Sequence, residues 1–407
     1  MAEAKNKMSV FVTGGAEDVG LATARALLKR GHKVVASACT SEGALALRQA
    51  GALPVYPDLG RASSVLSALE MAQADVVVHA IPQFCGGLPH SGEAFAARGA
   101  QLLRFTEAVA EAAARHGVGR FIALSFGYLY EAGHDAAQEG DQDIHDSEYA
   151  PMLAAEALLK DSRLNGYIVR SGYVYGGANP STAALADAVM ASRRLPAGAA
   201  PASWIHEDDL AAVFAALLEA ETEPEGMTII NAAADSACSP DDCARAISAA
   251  LGLDAPRFAG EGRFDFLRQK TLRDKLLDRE VVISSRKLRD EFGWQPRHAT
   301  IESGMEAAAM VWRMQDAVNA DDFYNAYEDK AAQAIEDFAY DVALPEPVAA
   351  AETPVAAAAE AAPEPTPVPA APPPPSDGPT PWNEDEAKRE ERRRRALERK
   401  AKRAARG

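Results

Sequence analysis

Residues 11 to 20, FVTGGAEDVG, set three glycines, Gly14, Gly15 and Gly20, in a turn that follows an apolar run. Such spacing suits dinucleotide chemistry: a backbone without Cβ atoms turns tightly, admits a pyrophosphate, and aims helix N–H groups at an anion. Glu17 stands where that chemistry asks for a further glycine. A carboxylate 4 Å from a phosphate costs roughly 4 kcal/mol at an effective dielectric constant near 20. Either Glu17 and Asp18 satisfy the helix dipole in place of a ligand, or Glu17 swings out to solvent and leaves the loop open. His206 with Asp208 and Asp209 has the residue types of a catalytic cluster, and also those of a capped helix start. Tyr128, Tyr130, Tyr173 and Tyr175 suit either a pocket lining or plain packing. The run HDAAQEGDQDIHDSE, with His134 and His145, fits no metal loop and reads as a solvated surface loop. Cys39, Cys85, Cys238 and Cys243 lack metal-ligand spacing and read as scattered thiols, a usage that suits a reducing cytoplasm.

These residues need a scaffold, and the first 126 residues spell one. MSVFVT, KVVASA, LPVYPDL, ADVVVHAI and RFIALSF read as strands, and apolar spacing marks helices between them. Alternation of this kind builds a parallel sheet with crossover helices. Beyond residue 175 the pattern becomes mixed. STAALADAVMASRR and HEDDLAAVFAALLEA read as helices, MTIINAA as a strand, and SPDDCARAISAALG as a helix capped by Ser239 with Pro240 at its first position.

In this order the motifs resemble the extended short-chain dehydrogenase/reductase superfamily, the NAD-dependent epimerase/dehydratase group. The likeness runs from residue 8 to 315 through VTGGAEDVG, YPDL, DVVVHA, FIALSFGYLY, SEYAPMLAAEALL, VRSGYVYGG, WIHEDDLAAVFAALLE and SSRKLRDEFGWQP. It implies an α/β fold: a Rossmann-like, doubly wound parallel sheet over 8–175 with a smaller mixed substrate lobe over 176–315. It implies NAD or NADP as cofactor, held by Gly14, Gly15 and Gly20, with Asp58 near the adenine. Ser37 and Thr40 are the ribose candidates at the end of the second strand, which carries neither an acid for NAD nor an arginine for NADP. The resemblance also implies a catalytic Tyr149 with a lysine four residues on, and a serine or threonine at the end of the fifth strand. Leu153 and Phe126 occupy those two positions, and Ser125 lies one residue early, on the opposite strand face. Without the lysine, Tyr149 is a poor base at neutral pH. Arg170 matches a lobe-junction position, where an ion pair is expected.

Composition sets the remaining bounds. The net charge is −17, yet residues 384–407 hold eleven Lys/Arg against six Asp/Glu, leaving −22 on the rest. An acidic body argues against nucleic-acid binding. No run of apolar residues has the length of a membrane span, and a cytoplasmic location is expected. A helical extension over 316–342, a disordered Ala/Pro-rich linker over 343–382 and a basic helix over 383–407 complete the expected organisation. The tail is expected to dock on an acidic protein surface, and the body to form a homodimer through the long helix before the fifth strand and the Tyr149 helix. The departures at Glu17, Phe126 and Leu153 favour an interaction, scaffold or nucleotide-sensing protein on this fold. The alternative is an atypical NAD(P)-dependent oxidoreductase or nucleotide-sugar epimerase/dehydratase that uses Tyr149.

Overall fold

The computed structural model describes residues 7–81, 92–259 and 279–319, apart from a few isolated loop positions. The tail, Cys85 and His134 lie outside the described residues.

Short apolar runs buried on both faces suit the middle of a parallel sheet. β1 (Ser9–Thr13), β2 (Lys33–Ser37), β3 (Leu53–Val55), β4 (Val76–His79), β5 (Arg120–Phe126) and β6 (Gly166–Ser171) are joined by α1 (Asp18–Lys29), α2 (Ser41–Ala50), α3 (Ala62–Ala72), α4 (Gly92–His116) and α5 (Ala150–Lys160). Chain breaks are set by local chemistry: Thr40 accepts the Gly43 N–H to open α2, and Gly51, at φ 94°, closes it. Side chains alternate along each strand, so two cores form. Val10, Val12, Val78 and Ile122 face α1 on one side of the sheet. Phe11, Val77, Phe121 and Ile168 face α3, α4 and α5 on the other.

The second half of the chain contributes to both layers. β7 (Tyr173–Tyr175), α6 (Pro180–Met190), β8 (Arg194–Pro196), β9 (Ala202–His206), α7 (Glu207–Leu218), β10 (Met227–Ala232), β11 (Ala237–Cys238), α8 (Pro240–Leu251), β12 (Arg257–Ala259), α9 (Arg286–Phe292) and α10 (Ile301–Asn319) follow in order. The main sheet runs β10-β6-β5-β4-β1-β2-β3, parallel throughout. A mixed sheet, β11-β9-β7, and a parallel pair, β12-β8, make the smaller lobe. The segment MTIINA is therefore the seventh strand of the main sheet, although its sequence lies within 176–315. Apolar residues of α7, Leu210 and Phe214 among them, likewise join the core beneath α1. Among the described residues no helix is long and apolar enough to cross a membrane.

Candidate dinucleotide and proton-transfer site

The sheet order reverses at β1, whose neighbours are β2 and β4, and in open α/β sheets the crevice at such a point receives the ligand. The loop at its mouth is built on glycine. Gly14 has φ +63°, and a Cβ there would meet the Ala80 carbonyl oxygen at 3.0 Å. A Cβ on Gly20 would lie 2.0 Å from the Gly14 oxygen, and one on Gly15 would lie 2.5 Å from Ala36 Cβ. Helix α1 therefore reaches its close packing only with these three residues. Ser37 Oγ accepts the Gly14 N–H at 2.9 Å, which fixes the loop to the end of β2. Behind it, Thr13 and Thr106 bracket the His79 ring at 2.8 and 3.2 Å, and full burial lowers the His79 pKa to about 4. A neutral imidazole in the core is the result.

Glu17 is the N-cap residue of α1, but its side chain makes no capping hydrogen bond. Its charge instead acts on Cys39 beyond the end of β2, whose thiol pKa is raised by burial and by the Glu17 carboxylate. Asp18 accepts a 2.6 Å hydrogen bond from Asn179, and burial raises its pKa. Glu207 accepts the Ala178 N–H at 3.0 Å through Oε1, while its Oε2 is buried with no hydrogen-bond partner. Burial first, then the charges of Asp18 and Asp208, push its pKa up to about 7. Residues 176–179 thus join the lobe to the first turn of α1 through acidic side chains. Two sequence candidates lie apart from this junction. Asp58 is exposed, with Oδ1 accepting the Gly60 N–H, and the Thr40 hydroxyl is engaged as the α2 cap.

At the end of β5 the alternation of side chains decides the roles. Ser125 donates to Glu156 Oε1 at 2.5 Å, and Glu156 is paired with wholly buried Arg170 through bonds of 2.9 and 2.6 Å. Asp143 supplies a further 2.6 Å bond to Arg170, and the guanidinium lies 4.4 Å from the centre of the Tyr130 ring. Burial opposes the charge on Arg170, but Glu156 and Asp143 more than offset it and raise its pKa. Ser125 therefore belongs to a buried ionic network, as its strand phase implies. Phe126 projects the other way and stacks on Tyr128 at 5.1 Å.

Tyr149 closes a short 3₁₀ turn, Ser147–Tyr149, and precedes α5. Its ring packs against Phe95 at 5.5 Å and Tyr128 at 5.9 Å, in the cluster where Leu153 is also partly buried. Burial raises the phenol pKa; the guanidinium of Arg279 opposes the rise, while Glu148 and Asp146 add to it. Arg279 reaches this place from the distant segment before α9. It donates to the carbonyls of Tyr128 at 3.0 Å and Tyr130 at 2.8 Å, with its Cζ 5.4 Å from the centre of the Tyr149 ring. Nothing in the motif spacing points to it.

The remaining candidates take structural places. His206 Nδ1 accepts the Asp208 N–H at 3.2 Å, so it caps α7, and its pKa falls to about 4 through burial and the His298 charge. Asp209 accepts the backbone N–H groups of Arg297 and His298, each at 2.8 Å. Among the described residues, His206, Asp208 and His298 are the one convergent group of metal-ligand types, within 4.8 Å of one another. The capping bond engages Nδ1 of His206, while its Nε2 is buried with no hydrogen-bond partner. Tyr173 and Tyr175 line a cavity of about 110 Å³ with Trp204, Leu195 and Cys243. Cys238 and Cys243 approach to 3.6 Å, a neighbourhood that the reading of scattered thiols did not contain.

A family model described as NAD(P)H-binding matches residues 14–221, from the glycine loop through α7. The chain belongs to the NAD(P)H-binding family. Its fold is that of the extended short-chain dehydrogenases, seen in solved sugar-nucleotide epimerases. UDP-glucose 4-epimerase from Thermotoga maritima, solved with UDP-glucose, is 16% identical, with 76% of this chain and 99% of that one covered and a TM-score of 0.62. UDP-glucuronic acid 4-epimerase from Bacillus cereus, solved with UDP-glucuronic acid and NAD, is 19% identical, covering 76% and 100%, with a TM-score of 0.62. UDP-glucose 4-epimerase from Stenotrophomonas maltophila, solved with NAD and formylated UDP-arabinopyranose, is 17% identical, covering 76% and 99%, at 0.63. No curated protein sequence matches the chain. Within this NAD(P)H-binding family member, the residues of the glycine cradle suit a dinucleotide at positions 14, 15 and 20, and Glu17 brings a carboxylate to the turn at the N-cap of α1.

Proposed function

We propose that this chain binds NAD(H) at the crevice between β1 and β4 and acts as an atypical oxidoreductase or epimerase, with Tyr149 transferring the proton. The observation that carries this reading is the place of Tyr149: its phenol is held neutral by burial, against the aromatic residues that follow the C-terminal end of β5. The nicotinamide, when bound, supplies or accepts a hydride. A neutral phenol donates its proton to a carbonyl oxygen that is becoming an alkoxide, so the site favours reduction at neutral pH. Oxidation needs the phenolate, which burial disfavours. Phe126 offers no hydroxyl to the substrate oxygen, so Tyr149 alone orients it. Glu17 sets the cofactor preference: a carboxylate acting toward the end of β2 repels the additional phosphate of NADP there.

A second reading has its own observation. The stacked Phe126 and the packed Leu153 leave the site without two groups of the catalytic set, which favours nucleotide sensing or scaffolding without turnover. Calorimetric titration of NAD⁺, NADH, NADP⁺ and NADPH into the full chain, with hydride transfer followed on UDP-sugars, separates the two. Binding with turnover that Tyr149→Phe abolishes supports the first. Binding with no turnover leaves the sensing role, and no binding of any of the four overturns the first reading and sensing alike and leaves scaffolding.

A further inference from the structure

We propose that Arg279 provides the positive charge that position 153 lacks, and that it is the positioning residue that sets the acidity of Tyr149. A lysine one helical turn beyond the tyrosine would stand beside its hydroxyl; here that place holds Leu153, packed among apolar neighbours. The charge arrives instead from residue 279. Its guanidinium is clamped by two neutral carbonyls, those of Tyr128 and Tyr130, and it stands as a charge 5.4 Å from the centre of the Tyr149 ring, where it lowers the phenol pKa against burial. These partners neutralise none of its charge, and arginine stays protonated throughout the working range of a protein. The carbonyl clamp also fixes its orientation, so the guanidinium meets the phenol without first being ordered.

The two carboxylates facing Tyr149 act in the opposite direction. Glu148 and Asp146, in its own turn, add negative charge. Tyr128, after β5, and Tyr173, on β7, are buried phenols coupled electrostatically to it. Arg279 is thus the one cation set against burial and these neighbours among the described residues. At 5.4 Å and an effective dielectric constant near 20, a unit charge moves an acid by roughly two pH units. Arg279 is half-buried, and solvent screening brings the expected effect to about one unit.

This inference rests on Tyr149 as the proton-transferring group, but its test reads the phenol directly. The full chain is labelled with ¹³Cζ-tyrosine, the Tyr149 resonance is assigned with Tyr149→Phe, and its ionisation is followed against pH in Arg279→Gln and Arg279→Lys. The expected result is an ionisation about one unit higher in Arg279→Gln, roughly tenfold in the constant, with Arg279→Lys within about half a unit of the parent. No shift in Arg279→Gln overturns the proposal. If Arg279→Gln does not fold, a shift of a full unit in Arg279→Lys, which keeps the charge, overturns it instead. In hydride transfer, the pH limb that coincides with the Tyr149 ionisation moves in parallel. Absence of turnover in the parent would sink the oxidoreductase reading while leaving the phenol titration to decide this one.

Discussion

Ser125 lies next to the position of a catalytic hydroxyl, yet its proton goes to Glu156, and replacing Glu156 by glutamine tests that arrangement. The change preserves shape and removes the charge that faces Arg170 from 2.6 Å. Arg170 is fully buried, and its other carboxylate, Asp143, is 40% exposed and thus the more screened partner. Breaking a buried pair by removing one partner costs about 3–5 kcal/mol. The glutamine oxygen still accepts one guanidinium N–H, so the lower end, about 3 kcal/mol, is expected for Glu156→Gln. Ser125→Ala removes one bond to a charged acceptor, worth about 1.5–3 kcal/mol. Both bonds converge on the same carboxylate oxygen, Glu156 Oε1, so the double variant should lose less than the sum. Urea unfolding at neutral pH reads this as a lowered midpoint at unchanged slope. Dinucleotide affinity should stay within about twofold for Ser125→Ala, because the hydroxyl is turned into the network. The reasoning fails if Ser125→Ala leaves the midpoint unchanged while abolishing hydride transfer.

Glu207→Gln should stabilise the protein at pH 8 by up to about 3 kcal/mol, a gain that fades toward pH 4.5. The folded pKa of about 7 lies above the ordinary 4.5, so the folded state holds the extra proton between these values, and stability falls as pH rises through them; unfolding midpoints of parent and variant at pH 5 and 8 that differ by equal amounts would refute this. Glu17→Gly should raise affinity for NADP⁺ more than for NAD⁺, by tenfold or more, since it removes the charge acting toward β2; calorimetry showing equal gains would remove Glu17 as the selector. Deletion of residues 343–407 should change assembly size or its salt dependence if the basic tail docks on the acidic body, and an unchanged light-scattering profile would discard that docking and leave the expected homodimer independent of the tail.

Much of this architecture is legible in the chain because local physics dictates it. Gly20 is demanded by backbone contacts with Gly14 and Gly15, Gly14 by its own positive φ, and the capping box of Ser239 with Asp242 lies within one turn. His206 as a cap follows the same logic, whereas Arg170 as an ion pair is expected from the resemblance and its partners lie 14 and 27 residues away. What the sequence conceals is set by distant segments. Arg279 reaches Tyr149 across 130 residues, and no periodicity marks a side chain whose partners are carbonyls. β10 reads as a strand, but a parallel ladder with β6 depends on a crossover whose course no local pattern encodes. Ser125 could be put on the opposite strand face from alternation alone, whereas its partner Glu156 sits in a helix that looks like any other apolar turn.

The interleaving of the two sheets has a mechanical consequence. The chain leaves the main sheet at Gly172, where a Cβ would stand 2.6 Å from the Ser203 carbonyl oxygen. It returns at the junction of His206 with α7, and departs again after β10. A lid on a single tether can swing through a wide arc. A lobe sewn to its base by repeated crossings, the last of them through Leu288 and Trp294 into the main core and out again to Ile301, and riveted at Asn179 to Asp18, can shift only by small sliding movements that strain every seam together.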